Sequence, residues 1–213
     1  MEQRHIHKDD FMEGKIPMIS RRPEKYTRAD HIPGPGQGNW TFSHFAELPD
    51  DGIRYEIENG VLYMAPEPIP LHQDIGNTIN TYLGIYVKFT GLGRVYNPCD
   101  VELALKTVRA PDIIVVLNDN MGIVGDKHMV GAPDLVVEIA SPSTAPVDRT
   151  TKRFEYARAG VKEYWLVFPK RQSVEVLVLE GEVYQSLGVF AGENVILSKV
   201  IPHFPVQAKQ FFV

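Results

Sequence analysis

Two apolar segments in the middle of this chain each carry an acid that a folded core must accommodate, and this restricts what the chain can become. They read Val108-Arg109-Ala110-Pro111-Asp112-Ile113-Ile114-Val115-Val116 and Pro133-Asp134-Leu135-Val136-Val137-Glu138-Ile139-Ala140. Short runs this rich in β-branched residues read as buried strands. A third segment, Asp148 through Lys152 to Tyr156, has helical spacing and carries a lysine. An unpaired carboxylate in an apolar surround loses several kcal/mol or more of hydration, so acids on such strands need positive charge nearby. A divalent metal held between two of them, with a lysine beside it, supplies that charge and is suited to cutting phosphodiesters.

The rest of the chain frames these segments. Residues 1–40 are polar and end in Ile32-Pro33-Gly34-Pro35-Gly36-Gln37-Gly38-Asn39, a breaker cluster, so they read as an extension to a single domain over 41–213. The Gly34, Gly36, Gly38 spacing has no strand before it and lacks the third spacing of a dinucleotide loop. Trp40–Leu48 reads as a short helix. Glu58-Asn59-Gly60 joins Arg54–Ile57 to Val61–Met64 as a hairpin, because Asn-Gly accepts positive φ. Apolar residues recur at helical spacing from Leu71 to Phe89, and Gly91 and Gly93 stop that helix. Strands are expected over about Arg94–Leu105, Arg109–Leu117 and Asp134–Ala140, then a helix from about Val147 to Ala159 and a strand over Glu163–Phe168. Ser173–Leu179, Glu182–Val189 and Val195–Val200 read as further strands. Helix, three strands, helix, strand describes an α/β domain with a mixed central sheet.

Strand parity sharpens the chemistry. Alternate residues face opposite sides, so Val136, Glu138 and Ala140 share one face, and Asp112 shares a face with Ile114 and Val116. On neighbouring strands, Asp112 and Glu138 come within reach of one ion, and hard oxygen ligands favour Mg²⁺ or Mn²⁺. Asp148, Lys152 and Tyr156 lie at i, i+4 and i+8 on one helical stripe, with Val147, Phe154 and Val161 expected to cover the core side. Lys152 then faces the acids, either as a stabiliser of developing negative charge or as the partner of Glu138 in a structural ion pair. Glu56 is a third metal ligand or a solvent-facing strand residue. His72 contacts a phosphate or metal shell, or caps the long helix.

Bulk properties set outer limits. At 44% hydrophobic over 213 residues the chain can bury a substantial core, and no apolar run approaches the roughly 20 residues that span a bilayer. The N-terminus has no hydrophobic stretch of secretory type. One cysteine, Cys99, excludes an internal disulfide and a cysteine zinc site, and a reducing cytoplasm is the expected location. The net charge of −5 disfavours binding nucleic acid over the whole surface. The charge is uneven, however: residues 46–74 hold seven acids and one base, and residues 144–172 hold seven bases and three acids. His5 and His7 make at best an adventitious metal site. No G-x-S-x-G, Walker or H-E-x-x-H motif is present.

Tyr55-Glu56-Ile57-Glu58-Asn59-Gly60, His72-Gln73, Pro111-Asp112, the block Gly131 to Thr144, Asp148 through Lys152 to Tyr156, and Ala157 to Trp165 resemble the Uma-type endonuclease family. That family lies within the PD-(D/E)xK restriction-endonuclease-like superfamily. The resemblance covers about Phe42 to Phe212. It implies a restriction-endonuclease-like αβββαβ core, here with an N-terminal hairpin and extra C-terminal strands, and Asp112 and Glu138 as metal ligands. The superfamily lysine stands two residues after the glutamate, where this chain has Ala140. The resemblance implies that the role has moved to Lys152, as the stripe also allows.

The sequence therefore leads to a Mg²⁺- or Mn²⁺-dependent endonuclease acting on DNA. Asp112, Glu138, Lys152 and Glu56 are its expected catalytic residues, with Asp112, Glu138 and Glu56 at the metal. Tyr156, His72 and Arg149 are expected at the substrate, and a homodimer suits cutting of two strands. A nuclease-fold binding or assembly module that no longer cuts is the alternative. A structural oligomer built on the N-terminal arm is a third.

Overall fold

The computed structural model describes residues 26–141 and 144–212, so His5, His7, most of the polar extension, and Pro142-Ser143 of the motif block lie outside the described residues. In chain order, the strands are β1 (Thr27–Arg28), β2 (Arg54–Glu58), β3 (Val61–Ala65), β4 (Gly93–Tyr96), β5 (Val101–Ala104) and β6 (Thr107–Arg109). They continue as β7 (Ile113–Leu117), β8 (Met129–Val130), β9 (Leu135–Ile139), β10 (Glu163–Phe168), β11 (Ser173–Glu180) and β12 (Val183–Ala191). The helices are α1 (Phe42–Phe45), α2 (Pro70–Thr90), α3 (Ala145–Val147) and α4 (Arg153–Ala159), with a π-helical turn at Asp148–Lys152 joining the last two.

These strands form two mixed sheets. One has the order β1-β3-β2-β6-β5-β8, and the other β12-β11-β10-β9-β7-β4. In the second sheet only β9 and β10 run parallel; β4–β7, β7–β9, β10–β11 and β11–β12 are antiparallel. A parallel neighbour needs a crossover, and the helical stretch between β9 and β10 provides it.

Each face of this second sheet is covered. Ile75, Ile79, Leu83 and Val87 recur every four residues along α2 and pack on Ile113, Val115, Leu135, Val137 and Ile139. Burying four such side chains is worth roughly 1.5–3 kcal/mol each. Pro70 starts α2 where its missing N–H is harmless, and Gly91 ends it at φ 66°. Val136, Leu166 and Leu177 face the other side, against Tyr156, Ala157 and Val161 from the α4 region. The alternation read from the sequence is therefore the alternation found.

The hairpin is also as expected. Asn59 and Gly60 both have positive φ, and a Cβ on Gly60 would stand 2.5 Å from the Gly38 carbonyl oxygen, so the turn and the approach both require glycine.

Several expectations change. The strand expected over Arg94–Leu105 is two strands in different sheets, β4 and β5, separated at Asn97-Pro98. The strand expected over Arg109–Leu117 likewise passes from β6 in one sheet to β7 in the other across Ala110-Pro111, where proline cannot donate to a ladder. Val195–Val200 is not a strand; it makes one isolated bridge, Val195 to Gln207. Phe154, expected on the core side, is 66% exposed. Lys152 and Tyr156 face the sheet, so Phe154, two residues from each, falls on the opposite, solvent side, and the stripe that carries the site is itself the buried one. Part of the stretch read as an extension also packs on the domain: β1 pairs with β3, and Ala29, Ile32 and Trp40 are buried.

Candidate active site

The sheet topology delivers the acids to one end of the second sheet. Ile113 pairs with Val137, so Asp112, one residue before β7, meets β9 beside Glu138. Asp112 Oδ2 accepts a hydrogen bond from the Ile139 amide at 2.8 Å and lies 3.1 Å from His72 Nε2, while its Oδ1 is 3.7 Å from Arg54. His72 is in the first turn of α2, which brings that helix start to the sheet edge. Glu138 Oε1 accepts from Lys152 Nζ at 2.9 Å and from the Tyr156 hydroxyl at 2.6 Å.

Lys152 is the hub of the cluster. Besides Glu138, its ammonium lies 3.6 Å from both Glu56 and Asp148. Glu56 enters from the other sheet and is held there by Arg109 at 2.9 Å. Arg109 is fully buried and also pairs with Glu58 at 3.0 Å and Glu155 at 2.6 Å, and it donates to the Tyr26 hydroxyl. Of the residues expected from sequence, Asp112, Glu138, Lys152, Glu56, Tyr156 and His72 come together. Arg149 does not join them; it is exposed, with its guanidinium 4.6 Å above the Phe168 ring. Tyr156 and His72, expected at the substrate, bond to the two acids.

Three members of the cluster are not among the expected residues. Arg109 had a signal: an arginine inside an apolar strand must meet acids. Asp148 had one too, at i−4 from Lys152. Arg54 had none, because its place depends on the pairing of β2 and β6, which spans half a hundred residues of sequence.

The electrostatics of neighbouring acids diverge. Burial would raise Glu56, but Lys152, Arg109 and Arg54 pull its pKa down to about 2. Burial raises Glu138 to about 7; Lys152 opposes this, but the charges of Asp112, Asp148 and Glu56 add to it. Asp148 is also raised by burial, against the pull of Lys152 and the Thr144 hydroxyl. Asp112 is lowered, because His72, Arg54 and the Ile139 amide outweigh burial. For Lys152 burial favours the neutral form, yet Glu138, Glu56 and Asp148 hold it firmly as an ammonium.

This pattern fits a divalent cation. Glu138 retains a proton towards neutrality, and the Asp148 carboxylate, 1% exposed, has Lys152 no closer than 3.6 Å. The cluster is thus short of positive charge on the Glu138 side. Among the described residues no three His, Cys, Asp or Glu side chains form a closed metal cage. Asp112 and Glu138 present carboxylates that could hold such an ion, and Glu56, bonded to Arg109 through one oxygen, could be a third.

Known proteins bear on this geometry. The crystal structure titled as that of "a putative nuclease belonging to DUF820" from Anabaena variabilis superposes with a TM-score of 0.67 at 21% identity, over 81% of this chain and 97% of that one. At that identity the likeness shows a shared fold. No curated protein matches the chain. Residues 42–208 match the Uma2 family, described as "Putative restriction endonuclease", and this span contains every acid of the cluster together with Lys152 and Tyr156. On that match the chain belongs to the Uma2 family.

Proposed function

We propose that the protein is a metal-dependent endonuclease that hydrolyses DNA phosphodiester bonds. The observation that carries this reading is the meeting of Asp112 and Glu138 on adjacent strands, with Lys152 2.9 Å from Glu138. The order α2-β4-β7-β9-α4-β10 supports a restriction-endonuclease-like core, with β5, β6 and β8 diverted into the other sheet. The family description supports a nuclease acting on DNA.

Asp112 and Glu138 would hold Mg²⁺ or Mn²⁺, which when bound supplies an acidified water and shields the charge of the scissile phosphate. The protein's own groups do the rest. The Ile139 amide and His72 fix the Asp112 carboxylate, and Tyr156 and Lys152 fix that of Glu138. Lys152 stays protonated, so it acts as a charged donor to the phosphoryl oxygens and not as a base. Glu56, braced by Arg109, keeps Lys152 charged and aimed from the far side.

A specific observation favours one other reading. Lys152 already pairs with Glu138, Glu56 and Asp148, as it would in a purely structural network of a binding module. Incubation of supercoiled plasmid with Mg²⁺, Mn²⁺ or EDTA separates the two. The nuclease reading expects metal-dependent nicking that EDTA stops; no nicking with either metal, and no heat of Mg²⁺ or Mn²⁺ binding, favours the module.

A further inference from the structure

Beside the acid cluster lies a group of side chains that the proposed chemistry does not use. β10 ends at Phe168, whose ring lies under two guanidiniums: Arg149 at 4.6 Å and Arg171 at 5.9 Å from its centroid. Arg149 comes from the π turn that carries Lys152. Arg171 closes the short 3₁₀ turn Pro169–Arg171, which Gln172 ends in a left-handed conformation. Both arginines are exposed, and among the described residues neither pairs with a carboxylate, unlike Lys162, Lys199 and Lys209 on the same molecule. Lys170, which precedes Arg171, is exposed and likewise unpaired with acid among the described residues.

Long cationic side chains normally move freely in water. Here stacking on one aromatic ring restrains two of them and leaves their N–H forks unused, an arrangement that matches the geometry of phosphate oxygens. The position is apt. Val167, just before Phe168, pairs with Ile139 and accepts a hydrogen bond from the Ala140 amide, so the ring sits at the same strand ends as Glu138.

We propose that Phe168, Arg149 and Arg171 form a backbone clamp that grips phosphates of the DNA strand next to the one being cut. It rests on the nuclease reading and assigns that site its strand-binding surface. Phosphate contacts of this kind position the strand without reading its sequence. The phosphates flanking the scissile bond would bridge the two guanidiniums, while the ring keeps both forks aimed outward.

The test is the salt dependence of plasmid or duplex cleavage with Mg²⁺, reading kcat and KM separately. Each phosphate contact contributes a factor of about [salt]^−0.9. Arg149→Ala/Arg171→Ala together should therefore raise KM on the order of ten-fold or more at about 0.1 M salt, flatten the log–log salt slope by about 2, and leave kcat at saturating DNA within about two-fold. Arg149→Lys/Arg171→Lys should keep most of the slope, which separates lost charge from misfolding. Phe168→Leu should keep the slope yet raise KM, because the charges remain and their restraint is gone. If the wild type cuts and the double alanine variant keeps its slope and KM, the clamp is wrong and the nuclease stands. A variant that loses kcat with an unchanged slope also overturns the clamp. Absence of metal-dependent cutting by the wild type removes both.

Discussion

At the scale of single residues, Glu56 and Glu138 show how the same side chain takes opposite roles a few ångströms apart. Both are buried and both lie near Lys152, but Glu56 also has Arg109 and Arg54, whereas Glu138 faces three other acids. The consequences for stability have opposite signs. Glu56, lowered to about 2, stabilises the fold above its unfolded pKa near 4.5, and that contribution is lost as pH falls towards 2. Glu138, raised to about 7, holds a proton that the unfolded chain has already released. The metal-free fold therefore loses stability as pH rises from about 4.5 through 7, and the loss levels off above 7. Denaturant melts between about pH 5 and 8 should show this decline, Glu138→Gln should reduce it, and Mn²⁺ should reverse it at the alkaline end. A wild-type profile that rises over the same range contradicts the assignment.

At the scale of elements, the site depends on where strands stop. The acids before β7 and on β9 were legible because a period of two sorts Glu138 and Ile114 from Val137 and Ile113 without knowledge of the partner strand. The break at Ala110-Pro111 was not, because a bent strand and a strand that changes sheets have the same local sequence; only pairing with β2 and β5 separates Arg109 from Asp112. The π turn was illegible for a similar reason: helical spacing places Lys152 and Tyr156 on one stripe whether the turn from Asp148 to Lys152 closes as α or as π. Asp134 shows a second kind of acid, just ahead of the strand that carries Glu138. Its carboxylate accepts from the Leu117 amide at 2.8 Å, Asn120 at 3.1 Å and Lys162 at 2.6 Å, tying the end of β7 to the start of β9. Asp134→Ala leaves the part-buried Leu117 amide unpaired and should cost about 1–3 kcal/mol by chemical denaturation, with metal binding intact. Loss of metal binding without loss of stability would contradict this division of labour.

At the scale of the molecule, the two sheets meet at the acid cluster: Glu56 and Arg109 come from one, Glu138 from the other, and Asp112 leads into β7. The stretch from Tyr26 to Trp40 belongs to this assembly, through β1 and the buried Trp40 and through Tyr26 against Arg109. Its low hydrophobicity concealed this, because one tryptophan and a two-residue strand leave almost no periodic signal. A chain beginning at residue 41 should melt at lower temperature than one beginning at residue 26, and equal melting would restore the boundary read from sequence.

The central claim is that Asp112, Glu138 and Lys152 together cut DNA. Single-turnover cleavage of labelled duplex DNA with Mg²⁺ or Mn²⁺ tests it, comparing the wild type with Asp112→Asn, which retains an oxygen for the Ile139 amide, and with Lys152→Ala. Asp112→Asn should give no cleavage above background, and Lys152→Ala a rate lower by about 10²–10³ even at saturating metal. Cleavage by either variant at the wild-type rate would contradict it.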